Sequence, residues 1–151
     1  MLIVVLHDVY STVKLSEVVD VVMEFDEVDL FVVSKAVSSA AQSGVPEAEK
    51  KMFSRGRRIL FIPDITDLKE LIPMDRIFFF VPRSIAKDVF DPAYIRKLVR
   101  ESTVALVFSG GESSFSKREL SLGESLTLGF KNVMPPSAEI SIVLYTLFPR
   151  S

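Results

Sequence analysis

Apolar residues along the chain follow two rhythms. Five short runs are apolar almost throughout: 2–6 (LIVVL), 29–33 (DLFVV), 59–62 (ILFI), 77–81 (IFFFV) and 104–108 (VALVF). They are rich in β-branched and aromatic residues and do not alternate polar with apolar, which predicts strands covered on both faces, the habit of a parallel sheet. The segments between them have a helical period. Leu15, Val18, Val19, Val22 and Phe25 recur along one helix face. A second helical stretch begins near Lys35, breaks at Gly44, reopens at Pro46 with Glu47, Glu49, Lys50 and Lys51 on its solvent side, and stops at Gly56. Asp64 is placed to cap a short helix that ends before Pro73, and Asp91-Pro92 to open one carrying Ile95, Leu98 and Val99. Strand and helix therefore alternate. This predicts one Rossmann-like α/β domain over residues 1–151, with a mostly parallel sheet, helices on both faces, and a ligand site at the carboxyl ends of the strands.

The last third breaks the rhythm. After Phe108 come SGGESSFSKREL (109–120), SLGESLTLGF (121–130), NVMPP (132–136) and a helix from Ser137 to about Phe148. Ile140, Ile142, Val143, Leu144, Tyr145, Leu147 and Phe148 point in nearly every direction around that helix, so one face cannot account for its burial. A sheet on one side and a second copy of the chain on the other would cover it, and a homodimer through the C-terminal helix is expected.

Composition narrows the chemistry. In 151 residues there is no cysteine, which removes disulfides, thiolate metal sites and a cysteine nucleophile, and the single histidine removes a His-rich metal site. No metal is expected. The formal charge of -2 offers no global basic field for nucleic acid, so such a contact must come from a local patch. The densest patch is Lys50, Lys51, Arg55, Arg57 and Arg58 around Phe53, either an RNA-backbone contact or a solubilising face. The apolar runs fall far short of the ~18 residues of a membrane span. Without a secretory leader pattern either, the expected location is the cytoplasm.

Two motifs sit at strand ends. Ser109-Gly110-Gly111-Glu112 follows the strand at 104–108, where free backbone N–H groups could meet a phosphate, a carboxylate or a nucleoside, or simply form a tight turn. His7-Asp8 ends the first strand and is read as strand-end hydrogen bonding.

The ordered set VFSGGESSFSKREL, SLTLGF and NVMPPSAEISIVLY resembles the C-terminal half of the SPOUT methyltransferases, in particular the SpoU-type group. The match covers the G-x-E loop at Gly110, Gly111 and Glu112, then Phe115, Ser116, Glu119 and Leu120, a short strand at Leu126 to Leu128, and Ser137 with Val143, Leu144 and Tyr145. The resemblance implies a C-terminal trefoil knot over 104–151, following a Rossmann-like half at 1–103. It also implies S-adenosylmethionine bound against Phe108, Ser109, Gly110, Gly111, Leu128, Gly129, Phe130, Val133, Met134, Pro135 and Ser137. On that reading the chain methylates tRNA or rRNA, at a ribose hydroxyl, with Glu112, Ser137 and Lys35 as candidate catalytic residues. A silent cofactor- or RNA-binding module and a flavodoxin-like nucleotide-binding domain are the alternatives. The family's early Arg has no counterpart in VVSKAVSSAAQSG (32–44), and its Asn before the last helix falls on Pro135.

The chain also resembles a small archaeal subgroup of these proteins without an added RNA-binding domain, some of which carry a nuclease-type label. A PD-(D/E)xK nuclease needs acids that jointly bind a cation from neighbouring strands. Pro63-Asp64, Asp67-Leu68-Lys69 and Glu49-Lys50-Lys51 supply the letters but not that spacing, and are read as solvated helix faces.

Overall fold

The computed structural model describes residues 1–111 and 113–151; Glu112, one of the expected catalytic residues, lies outside the described residues. The five apolar runs and two further short strands form a seven-stranded, wholly parallel sheet: β1 (Leu2–Val9), β2 (Leu30–Ala36), β3 (Ile59–Ile62), β4 (Arg76–Phe80), β5 (Asp88–Val89), β6 (Val104–Ser109) and β7 (Glu124–Thr127). Their order across the sheet is β3-β2-β1-β6-β4-β7-β5. β1 and β6 are buried along nearly their whole length, as uniformly apolar strands at the centre of a parallel sheet must be.

Helices cover the two faces unequally. α1 (Thr12–Met23), α2 (Val45–Phe53), α4 (Pro92–Glu101) and α6 (Pro136–Leu147) pack on the side of Leu2, Val4 and Leu6. The opposite side, carrying Ile3 and Val5, is closed by the turn at Ile65–Asp67 with the short α3 (Leu68–Leu71), by Phe115, and by residues in and after α5 (Lys117–Leu120). The stretch after Lys35 does not form a helix at once: β2 runs on to Ala36, a wide turn follows at Ala40–Gly44, and only then does α2 begin.

α6 is covered on its inner side by the chain itself. Its residues Ile140, Val143, Leu144 and Leu147 share a face fully covered by the chain's own α1, α4 and β6, while Ile142 and Tyr145 remain 38% and 54% exposed. The helix therefore needs no second copy to bury its apolar side. Its charged residue on the inner side is Glu139, only 8% exposed.

β1→β2→β3 builds outward in one direction, after which the chain crosses to β4 and later inserts β6 beside β1. The connections leaving β1 and β6 thus diverge. Their carboxyl ends frame the crevice where open α/β sheets receive ligands.

Candidate functional site

Register brings His7 of β1 level with Ser34 of β2 and Ser109 of β6, a polar row at the carboxyl edge of an otherwise apolar sheet. His7 is 2% exposed and its ring is fixed on three sides. Nδ1 lies 2.6 Å from the Ser34 hydroxyl, the ring stacks on Phe115 with 5.9 Å between centroids, and Nε2 meets the Glu119 carboxylate. Because a hydroxyl both donates and accepts, Ser34 supports either tautomer and leaves Nε2 free to act as donor or ligand.

Glu119 is held from its other side by a capping box. Its Oε1 accepts from the Ser116 N–H at 2.8 Å, while its own N–H donates to the Ser116 hydroxyl at 3.1 Å. Burial works to raise the Glu119 carboxyl, but the Ser116 N–H and the facing His7 imidazole outweigh it, and the group sits below its ordinary range. Asp64, just past β3, behaves alike. Burial raises it, while the Thr66 hydroxyl at 2.9 Å, the Ile65 N–H and the neighbouring His7 and Arg118 pull it lower on balance. One ligand atom from each of His7, Asp64 and Glu119 lies within 4.8 Å of the other two. That is the span of one coordination sphere, since ligands on opposite sides of a hard cation stand about 4–5 Å apart.

Asp64 and Glu119 line a cleft of about 470 Å³ together with Lys35, Pro63, Thr66, Ser116 and Arg118, and the buried His7 lies behind Glu119. Lys35 reaches the cleft from the end of β2 with its ammonium 3.8 Å from Asp8 Oδ1, an oxygen that has no hydrogen-bond partner among the described residues. Asp8, Lys35 and Ser38 all have positive φ, at 65°, 54° and 54°. Each such residue costs on the order of 1 kcal/mol, and this kind of strain collects where a fold holds side chains for use.

A second cleft, of about 660 Å³, opens at the β1/β6 crevice between Tyr10, Ser11, Lys14, Gly110, Gly111 and Ser113. Gly110 is required by packing: a Cβ there would stand 2.9 Å from the Val9 Cβ. Its N–H donates to the His7 carbonyl at 2.7 Å.

Of the residues expected around a cofactor, Gly110 and Gly111 line this second cleft, and the others lie elsewhere. Phe108 is buried and stacked on Phe80, and Ser109 binds the Ser113 carbonyl. Leu128 to Pro135 lie beyond β7 and line neither cleft. Ser137 donates to Glu17 at 3.1 Å in a groove between α1 and α6. Of the expected catalytic residues that the structure describes, Lys35 lines the first cleft and Ser137 does not. The basic patch sits before β3, at the amino end of the strands. There Lys51 pairs with Asp20, and the Arg57 guanidinium donates to the carbonyls of Val22, Met23, Phe25 and Val28 at 3.0–3.3 Å.

Asp64 corrects the reading of the acidic letters. It is not a solvated helix face but a half-buried cap turned toward His7, and Asp67 is occupied by the Asp64 N–H. The strand-end reading of His7 holds only for Nδ1. Position in the sequence hid the trio, whose members stand 57 and 55 residues apart at 7, 64 and 119. The available signals were Ser116-x-x-Glu119, a capping-box pattern, and the lone histidine at a strand's carboxyl end.

The family model described as RecB-family nuclease (DUF2122) matches residues 38–146. A relative from Methanocaldococcus jannaschii, MjaORF1200P, is 30% identical over 142 residues, covering 94% of this chain and 92% of its own. A second, ApeKORF2002P from Aeropyrum pernix, is 31% identical over 144 residues, covering 95% and 90%. Both names mark candidate type II restriction enzymes. Among solved structures, a candidate methyltransferase from Bordetella pertussis Tohama I superposes with a TM-score of 0.74 at 10% identity, over 97% of this chain and 93% of its own. The SpoU methyltransferase AviRb from Streptomyces viridochromogenes, in complex with AdoMet, gives 0.70 at 8% identity, over 96% and 56%. Likeness at such identities shows a shared fold, and the resemblance to SpoU-type proteins stands at that level. The expectation of RNA methylation, with its silent-module and flavodoxin-like alternatives, is overturned by the family match and by both relatives.

Proposed function

The chain belongs to the RecB-family nuclease (DUF2122) family, and on that premise we propose that it hydrolyses phosphodiester bonds of nucleic acid at a divalent cation held by His7, Asp64 and Glu119. The observation that carries this reading is the convergence of one imidazole and two carboxylates, one atom each within 4.8 Å, beside the cations Lys35 and Arg118. The donor set fits. Two carboxylates held ionised suit a hard cation, and one imidazole biases the choice toward manganese or zinc over magnesium. When bound, such a cation supplies Lewis acidity at the phosphoryl oxygen and lowers the pKa of a coordinated water.

The chain's own groups account for the remainder. Ser34 and Phe115 hold the His7 ring in the orientation its ligand role needs. The Lys35 ammonium, steadied by Asp8, and the Arg118 guanidinium face the space a phosphodiester would fill, where they offset its charge. The backbone is left-handed at both Asp8 and Lys35, whose side chains face each other with Lys35 on the cleft wall.

The test uses end-labelled single- and double-stranded DNA and RNA with Mn²⁺, alongside calorimetric Mn²⁺ titration. Cleavage and Mn²⁺ binding are expected in the parent, with both lost in Asp64→Asn and Glu119→Gln while the fold is kept. A parent that binds no Mn²⁺ and cuts neither polymer defeats the reading.

A further inference from the structure

The second cleft, at the crevice between the carboxyl ends of β1 and β6, is untouched by the cation chemistry. Resting on the nuclease reading, we propose that it holds the nucleotide adjoining the cleaved bond, with the base on the Tyr10 ring and its phosphate on Lys14. Its volume of about 660 Å³ lies within the roughly 300–1,000 Å³ of pockets for small organic ligands. Tyr10 is 49% exposed although its backbone is pinned, its carbonyl accepting from the Ala40 N–H and the Ser39 hydroxyl at 3.1 Å each. An aromatic face open to solvent on a pinned backbone is the kind of platform on which a base stacks.

Lys14 forms no ion pair among the described residues, and its side chain borders the same space. An apolar ligand would leave that ammonium unused, and inorganic phosphate would leave the ring unused; a nucleotide engages both. Gly111 lies beside the ring, where a Cβ would stand at contact distance, 3.8 Å, from Tyr10 Cε2 and a tighter 3.3 Å from the Asp8 carbonyl. Asp8 is the partition between the clefts. Its Oδ1 faces Lys35 in the first, and its Oδ2 lies 3.7 Å from where a Gly111 Cβ would stand in the second. A strand crossing Asp8 would place consecutive nucleotides in the two clefts.

The probes are adenosine 5′-monophosphate and adenosine, titrated calorimetrically with EDTA present so that no cation contributes. The parent is expected to bind the monophosphate. Tyr10→Ala should weaken it at least fivefold, Tyr10→Phe should retain it, and Lys14→Ala should weaken the monophosphate but not adenosine. Asp64→Asn should bind as the parent does. No binding by the parent, equal affinity in Tyr10→Ala, or a loss that follows Asp64→Asn instead of Tyr10→Ala overturns the proposal. Mn²⁺ binding by the same proteins tests the cation site separately, so either reading can fail alone.

Discussion

At the scale of single residues, two carboxylates contrast. Glu119, half-buried, stands beside an imidazole and a backbone N–H and is kept ionised, while the buried Glu139, in the first turn of α6, has only desolvation acting on it and is pushed up to about 7. A carboxyl bound more tightly to its proton in the folded state favours folding below its unfolded value near 4.5, and that contribution is lost as pH rises through about 7. The shift corresponds to roughly 3 kcal/mol at most. Glu139→Gln cannot lose a proton, so in urea denaturation its stability relative to the parent should improve between pH 5 and pH 8. A mutant-minus-parent difference equal at both pH values would show that the parent carboxyl is not held neutral. Asp64 and Glu119 have the opposite sign, their contribution being present above the unfolded carboxylate range and lost toward acid, so cation affinity should fall on acidification as well.

At the scale of elements, the basic patch around α2 divides into residues with different roles. Arg57 closes the carboxyl end of α1 and the loop after it by donating to the carbonyls of Val22, Met23, Phe25 and Val28, where a cation also meets the negative end of the helix. Arg57→Ala should therefore cost about 3 kcal/mol in chemical denaturation, since charged hydrogen bonds to half-buried carbonyls are lost together. Arg55→Ala and Arg58→Ala, both exposed, should stay within about 0.5 kcal/mol; equal costs for all three would remove the capping role. Elements of this kind were legible because their signals are local. The runs at 59–62 and 104–108, the caps Asp64 and Asp91, and the period of α1 each follow from neighbours in sequence. The two-residue β5 was missed because Asp88-Val89 has no periodicity to read, its pairing to β7 being set by β7 itself. The cover of α6 was legible only in part: its inner face is met by α1, α4 and β6, whose approach no count of apolar directions specifies, while Ile142 and Tyr145 face outward. The cation site was illegible for a stronger reason: His7, Asp64 and Glu119 are joined by the β1–β2 and β2–β3 registers and by the return of the chain after β6.

At the scale of the whole molecule, the charges matter by where they lie. The formal charge of -2 provides no long-range attraction for a polyanion. Affinity for a nucleic acid strand must then come from the few cations at the edge that carries both clefts, namely Lys14, Lys35 and Arg118. Three phosphate contacts on a single strand release counterions with a log–log salt slope of about -2, roughly 0.7 per contact. Fluorescence anisotropy of a short labelled single strand, followed in Glu119→Gln from about 50 to 300 mM salt, should give that slope. Adding Lys14→Ala should reduce its magnitude by about 0.7. Arg55→Ala and Arg58→Ala should leave it unchanged, because those side chains project from the amino end of the strands, across the sheet from both clefts. A slope that instead collapses with Arg55 and Arg58 would move the nucleic-acid face to the far end of the molecule, with the strand held away from His7, Asp64 and Glu119.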